Sequence, residues 1–312
     1  MRTSARKRTS RLRLLSFLAF LTYAAGVAPA VGAGDAGRGH AVFDAAGCLG
    51  CHTDKKNKGA PLAGGRALKT PFGTFFSPNI TPDMKTGIGK WSDDDFVRAL
   101  RHGVSPKGSN YFPAFPYPSY TRMTDADMLD LKAYLFSLAP VAQANTPHDM
   151  DFPFGFRFPL VFWKALYFTA GAMKDNPDKS KEWNRGAYLV EALGHCGECH
   201  TPRGALGGAK TDMHMAGTRN GGHGEIVPNI TPDKQTGIGT WSTGDIEMAL
   251  SIGMLPDSDF VGGSMGEVVT NTTGRWSKSD RRAVVIYLQS LPAIDHKVKK
   301  DKPKDGGGNN WD

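Results

Sequence analysis

Two five-residue strings dominate the chemistry available to this chain, Cys48-Leu49-Gly50-Cys51-His52 and Cys196-Gly197-Glu198-Cys199-His200. Both read Cys-x-x-Cys-His, and together they use all 4 cysteines of the 312 residues. Two thiols one helical turn apart can each form a thioether to a haem vinyl group, while the adjacent histidine reaches the iron as proximal ligand. The spacing therefore reads as covalent haem attachment at Cys48, Cys51, Cys196 and Cys199, with His52 and His200 each on an iron. Other uses of paired cysteines fit less well. A redox-active dithiol needs a βαβ context that the apolar pattern does not offer. A four-cysteine zinc site leaves both histidines unexplained, and a disulfide within either pair closes a strained loop.

The elements that must position these groups occur twice. Asn79-Ile80-Thr81-Pro82-Asp83 recurs as Asn229-Ile230-Thr231-Pro232-Asp233, and Thr86-Gly87-Ile88-Gly89 with Trp91-Ser92 recurs as Thr236-Gly237-Ile238-Gly239 with Trp241-Ser242, all at an offset of 150. Arg38-Gly39 matches Arg185-Gly186 at 147, and Tyr134-Leu135 matches Tyr287-Leu288 at 153, so small insertions separate the matched elements. Each half runs in one order: short helix, haem motif, Gly/Pro-rich loops, the Asn-Ile-Thr-Pro-Asp segment, a middle helix, a variable loop and a closing helix. Phe96, Val97 and Leu100, and Ile246, Ala249 and Leu250, give the middle helices their apolar faces. Ser92 with Asp95 and Ser242 with Asp245 are capping-box patterns. Thr124-Asp125 opens the first closing helix, which carries Met128, Leu131, Leu135 and Leu138 and stops at Pro140; its counterpart spans about 280–291 and stops at Pro292. No convincing run of alternating strands is present, so the expected fold is mostly α with long loops.

On these residues the chain resembles the di-haem members of the class I cytochrome c family, similar to the haem-carrying subunits of bacterial periplasmic or membrane-bound dehydrogenases for alcohols, aldehydes and sugar acids. The resemblance covers nearly all of residues 34–295 and rests on both haem motifs, the Asn-Ile-Thr-Pro-Asp repeats, Gly263-Ser264-Met265 and Pro113-Ala114-Phe115-Pro116-Tyr117. It implies two tandem class I cytochrome c domains, over 34–140 and 181–295, joined by an aromatic segment over 141–180, and two covalently bound haem c groups. Relatives of this kind usually carry three haems, so the exact partner stays open. A class I fold implies a distal methionine from a loop between the last two helices. For the second iron that is Met265, with Met254 as runner-up. The repeat sets Phe115 opposite Met265, and Phe cannot ligate iron, so the first iron needs another ligand. Met123 is the leading candidate, its alternative role being a hydrophobic staple onto the closing helix. Met84, His102 and an open five-coordinate iron are further alternatives. The resemblance also suggests that the Pro61 carbonyl accepts the His52 N–H, and Trp91 and Trp241 are either core residues or donors to haem propionates. His195 reads as a partly exposed loop residue, and His214 and His223 as residues without a role at the iron.

Net charge is +8, which invites a nucleic-acid reading until the charges are located. Six of the excess positive charges are Arg2, Arg6, Lys7, Arg8, Arg11 and Arg13, and the other two belong to a basic, flexible tail over 296–312, so residues 34–295 are electrically balanced. No nucleic-acid partner is expected. The basic start, the apolar run over 14–30 and the small residues after it form a signal-peptide pattern over 1–33, or an N-terminal anchor if uncleaved. Export places the protein in the periplasm, free or membrane-associated. Residues 152–168 are too aromatic for a free linker: either they pack across both halves, or they form a patch that docks a dehydrogenase or the membrane surface. The expected function is relay of single electrons from a periplasmic dehydrogenase, as donor, to a quinone, an oxidase or another cytochrome in the respiratory chain. Two alternatives remain. One is a di-haem enzyme of peroxidase or thiosulfate-oxidising type with the first haem as reaction site; the other is an anchored docking scaffold.

Overall fold

The computed structural model describes residues 33–219, 221 and 225–298. Apart from Ala33, the expected leader lies outside these residues, as do His223 and the tail from 299 onward. Helices are the main regular elements, and both halves belong to one compact unit. In the first half, α1 (Ala36–Ala46) leads through Gly47, in the left-handed conformation, into α2 (Cys48–His52). There follow α3 (Asp93–His102), the single turn α4 (Tyr117–Tyr120) and the closing helix α5 (Asp125–Ser137). After α6 (Leu160–Tyr167) the second half repeats the plan: α7 (Lys181–Tyr188), running on into a π-helical turn (Leu189–Leu193), then α8 (Gly197–His200), α9 (Thr243–Ser251), α10 (Gly263–Asn271) and the closing helix α11 (Lys278–Gln289).

Local chemistry sets the helix starts. Ser92 and Ser242 each cap the third helical N–H, and Asp95 and Asp245 return the bond to the cap amide, completing both expected boxes. Thr124 caps α5 through the Asp127 N–H at 3.0 Å. Each half closes by crossing its first helix over its last. At both crossings a glycine faces a backbone carbonyl so closely that a Cβ on Gly39 would sit 1.9 Å from the Asp130 oxygen, and one on Gly186 2.0 Å from that of Ala283. The arginine before each glycine locks the crossing: Arg38 donates to Asp130 at 2.6 and 2.8 Å, and Arg185 to Asp280 at 2.7 and 3.2 Å.

The expected absence of strands needs correction. β1 (Ala67–Thr70) and β2 (Gly73–Phe76) form an antiparallel hairpin with Ala67 opposite Phe76, and β3 (Asp149–Met150) adds to β2 with Gly73 opposite Met150. Strands of four, four and two residues are too short to display alternation, which is why the sequence pattern hides them.

The aromatic segment does reach both halves. Lys164 Nζ donates to the carbonyls of His102 and Gly103 and to Asn110 Oδ1 in the first half, while Trp163 Nε1 donates to Leu206 O in the second at 2.9 Å. Phe152, Phe156, Phe158, Phe162 and Leu166 remain more than half exposed on its outer side. His296, expected to begin a solvated tail, is instead tied down: its Nδ1 contacts the Ala216 carbonyl at 2.8 Å, and its amide donates to Thr236 Oγ1.

Candidate functional site

All four cysteines are free thiols, carried on the short helical turns α2 and α8 or at their start. Burial pushes the Cys48 and Cys196 thiols each up to about 12. Burial and then the Glu198 charge push Cys199 up to about 11, and the Cys51 sulfur acts in the same direction, so the two motifs lie near one another. His200 is buried and His52 half-buried, and burial lowers both imidazoles towards the neutral form.

Each histidine ring is fixed by one carbonyl. His52 Nδ1 lies 2.8 Å from Pro78 O, and His200 Nδ1 lies 2.9 Å from Pro228 O. A carbonyl only accepts, so Nδ1 carries the proton and the Nε2 lone pair is left for a metal. The expected partner of His52 was Pro61; the acceptor is Pro78, because the chain returns to the ring with the Asn-Ile-Thr-Pro-Asp segment and not with the loop at 59–62. That segment is rigid in both copies. Asn79 Oδ1 takes the Thr81 N–H at 2.9 Å and hydroxyl at 2.7 Å, and its amide donates to Val141 O at 2.7 Å. Asn229 does the same with Thr231 at 2.9 and 2.7 Å and with Ile294 O at 2.7 Å. Asp83 and Asp233 then accept from Thr86 and Thr236. The repeat that was visible in the sequence thus positions a prolyl carbonyl whose role was not. The signal available was Pro78 and Pro228 preceding both copies at the shared offset.

Among the first-site candidates, Met123 is fully buried in the apolar cluster that Cys48 and Leu49 pack against. Its backbone is pinned, with the amide on Tyr120 O at 3.0 Å and the carbonyl accepting Arg101 Nη2 at 2.7 Å. Met84 is 57% exposed and His102 is exposed at the end of α3. Met265 is half-buried, and it lies in the first turn of α10 instead of on a loop. The glycines around it permit a helix here because Glu225, 39 positions away, accepts the Ser264 N–H at 3.1 and 3.3 Å. Met254 lies beyond the end of α9, where its backbone forms an antiparallel bridge with that of Phe260.

The halves cover one another's motifs. Arg66 of the first half joins Gly50 O to Glu267 of α10, at 2.6 and 2.5 Å, and Lys55 donates to Asn271 at 2.9 Å. In return Ser119 of α4 donates to Glu198 at 2.8 Å, and the Tyr120 ring stands edge-on to His195 with its hydroxyl on Ala46 O. His195 is therefore part of the contact between the motifs. Free thiols one turn apart, a neutral histidine with a fixed ring and an apolar cluster against which Cys48 and Cys196 pack, with Cys51 and Cys199 exposed, fit a covalently held haem. His52 and His200 would hold its iron and the cysteines its edge.

The profile of the family described as cytochrome c matches residues 36–139. A di-haem c-type cytochrome of Cereibacter sphaeroides is 46% identical over 265 residues, covering 84% of this chain and 88% of the relative. The cytochrome c subunit of a quinone-dependent alcohol dehydrogenase from Gluconobacter oxydans is 40% identical over 82% of this chain and 55% of its own length. The cytochrome c subunit of a gluconate 2-dehydrogenase from Pantoea cypripedii is 40% identical over 83% and 60%. The chain thus spans little more than half the length of these two subunits. With the thiols, the histidine geometry and 46% identity to a di-haem c-type cytochrome over most of both chains in agreement, the chain belongs to the cytochrome c family.

Proposed function

We propose that this protein is an exported di-haem c-type cytochrome of two tandem class I domains, one haem at each motif, that accepts single electrons from a periplasmic dehydrogenase. It passes them to a quinone, an oxidase or another cytochrome of the respiratory chain, in the periplasm or at the membrane surface. The observation that carries the proposal is the twinned histidine geometry, with Nδ1 on Pro78 O at 2.8 Å and on Pro228 O at 2.9 Å. A haem held there supplies an iron that takes up and releases one electron. The relatives named as subunits of alcohol and gluconate dehydrogenases support a dehydrogenase as donor.

The chain's own part is to fix the two rings, keep water from them and hold the sites together. Met123, buried and pinned at both backbone groups, supports a closed first site with methionine as distal ligand, and Met265 takes that place at the second. A closed iron favours electron relay over a reaction at the first haem. Optical and magnetic spectra of the haem-loaded protein test this. Two low-spin irons are expected, with Met123→Ala and Met265→Ala each removing one methionine-to-iron charge-transfer band. A high-spin iron in the wild type that binds cyanide or peroxide readily would count against the closed relay.

A further inference from the structure

The segment between the halves carries its polar groups on the inside. Along α6, Leu160, Trp163 and Lys164 face the protein, while Val161, Phe162, Ala165 and Leu166 are exposed. The one charge of the helix thus lies on its inner face, where Lys164 Nζ is spent on the His102 and Gly103 carbonyls and on Asn110 Oδ1. Arg157, just before the helix, is spent in the same way: it donates to Asn110 O at 2.7 Å and lies over the Phe112 ring at 4.5 Å. The outward face continues ahead of the helix, with the Phe152 ring edge-on to Phe156 and Phe158 edge-on to Phe162. Phe158 is 74% exposed, Leu166 68% and Phe162 60%. A contiguous apolar face of this kind marks a contact with something other than water.

We propose that this face inserts into a membrane surface, with α6 lying in the plane of the bilayer and its outer side chains among the acyl chains. The proposal rests on the export in the reading above, chooses the membrane surface over the free periplasm and needs no iron. Two observations select lipid over a protein partner. The first is the want of polar groups. A protein interface orients its partner through about one hydrogen bond per 100–200 Å², whereas the polar side chains from 152 to 168 are Arg157, Trp163, Lys164 and Tyr167 alone. The first three are spent on this chain's own groups, and the Tyr167 ring packs against Gly208 of the second half. Acyl chains ask for no hydrogen bond. The second observation is charge: of the chain's 30 acids none lies between Asp151 and Asp175, where the charged residues are Arg157, Lys164 and Lys174. Nothing in that stretch repels anionic headgroups, and its field attracts them. The mode is interfacial, because α6 has eight residues, about 12 Å of helix, and among the described residues no helix is long and apolar enough to cross a membrane. Since Lys164 holds the first half and Trp163 the second, both halves are seated on the same surface.

The test is flotation of the haem-loaded chain from Gly34 onward, whose halves form one compact unit, made behind a removable export leader and mixed with vesicles of phosphatidylethanolamine and phosphatidylglycerol. The wild type is expected to float with the vesicles and to stay largely bound in high salt, because apolar insertion holds it and salt screens only the charges. Phe158→Ser together with Phe162→Ser should lower the partition into vesicles about a hundredfold, as expected for two aromatic side chains that no longer leave water. Phe162→Leu, which keeps the face apolar, should stay near wild type. Leu166→Ser, on the same face, should lower the partition about tenfold and decides the matter if the double variant does not take up haem. A wild type that does not float, serine variants that float as well as wild type, or an equal loss in Phe162→Leu would overturn the assignment. So would dimers of the wild type in solution that the double variant dissolves, or binding to a purified dehydrogenase that it abolishes while flotation is unchanged. Soret absorbance of the same fractions reports the haem, so a wild type without covalent haem would overturn the haem reading itself, a result distinct from any of these.

Discussion

Adding one methyl group at a helix crossing tests how the haem halves close. Gly39→Ala places its Cβ 1.9 Å from the Asp130 carbonyl oxygen and 2.9 Å from Tyr134 Cβ, and Gly186→Ala places its own 2.0 Å from Ala283 O and 2.9 Å from Tyr287 Cβ. The struck atom is backbone on a packed helix, so no rotamer change relieves it. Restoring ordinary contact requires the helices to part by about 1.5 Å, enough to forfeit a large share of the dispersion contacts across the crossing. Overpacking of this kind costs about 3 kcal/mol, at the upper end of its usual range, and in a chain of this size lowers Tm by about 6–12 °C. Gly244→Ala is the control: it lies within α9, and its Cβ meets Ser242 Oγ at an ordinary 3.6 Å. There the same substitution should stabilise by about 0.5–1 kcal/mol through lost unfolded-state freedom. Thermal unfolding of the haem-loaded protein, followed by far-ultraviolet circular dichroism and Soret absorbance, reads both. If Gly39→Ala unfolds within about 0.5 kcal/mol of wild type, the crossing is not the close contact described.

Three other outcomes are expected. Asn79→Ala removes the acceptor of the Thr81 amide and hydroxyl and one donor to the Val141 carbonyl; it should cost about 1–3 kcal/mol and speed solvent exchange of the His52 Nδ1 proton, and unchanged exchange would show that the segment does not hold the ring. The Arg38 hydrogen bond, against an opposing desolvation, holds the Asp130 carboxyl below its usual range. Its stabilisation is therefore fully present above about pH 4 and is lost as pH falls through the folded value; Asp130→Asn should flatten the acid limb of the stability curve, and identical acid midpoints would refute this. In the haem-free chain, burial pushes the Cys48 and Cys196 thiols up to about 12, so iodoacetamide should react with both far more slowly at pH 7 than with a free cysteine, and a rate equal to that of free cysteine would contradict the packing.

What the sequence made legible was local or repeated. The haem motifs, both serine caps with their return aspartates and the order of helices each lie within a few residues, or recur at one offset. What it concealed spans distance. The carbonyls on His52 and His200 come from 26 and 28 positions away, and the helix bearing Met265 owes its start to Glu225, 39 positions off. Periodicity cannot register such contacts. The sheet escaped for another reason, since two four-residue strands and a pair carry too few positions to alternate.

The exchange of contacts between halves bears on how such a chain can change over generations. Arg66 and Lys55 of the first half hold the second half's α10, and Ser119 and Tyr120 meet Glu198 and His195. After duplication, these faces ceased to be free to drift as separate copies. A replacement at Glu267 or Asn271 alters the surroundings of the first motif, and one at Ser119 alters those of the second. Heritable variation there must be matched across the pair, and neither half can be exchanged for a foreign domain without rebuilding the surface that it covers.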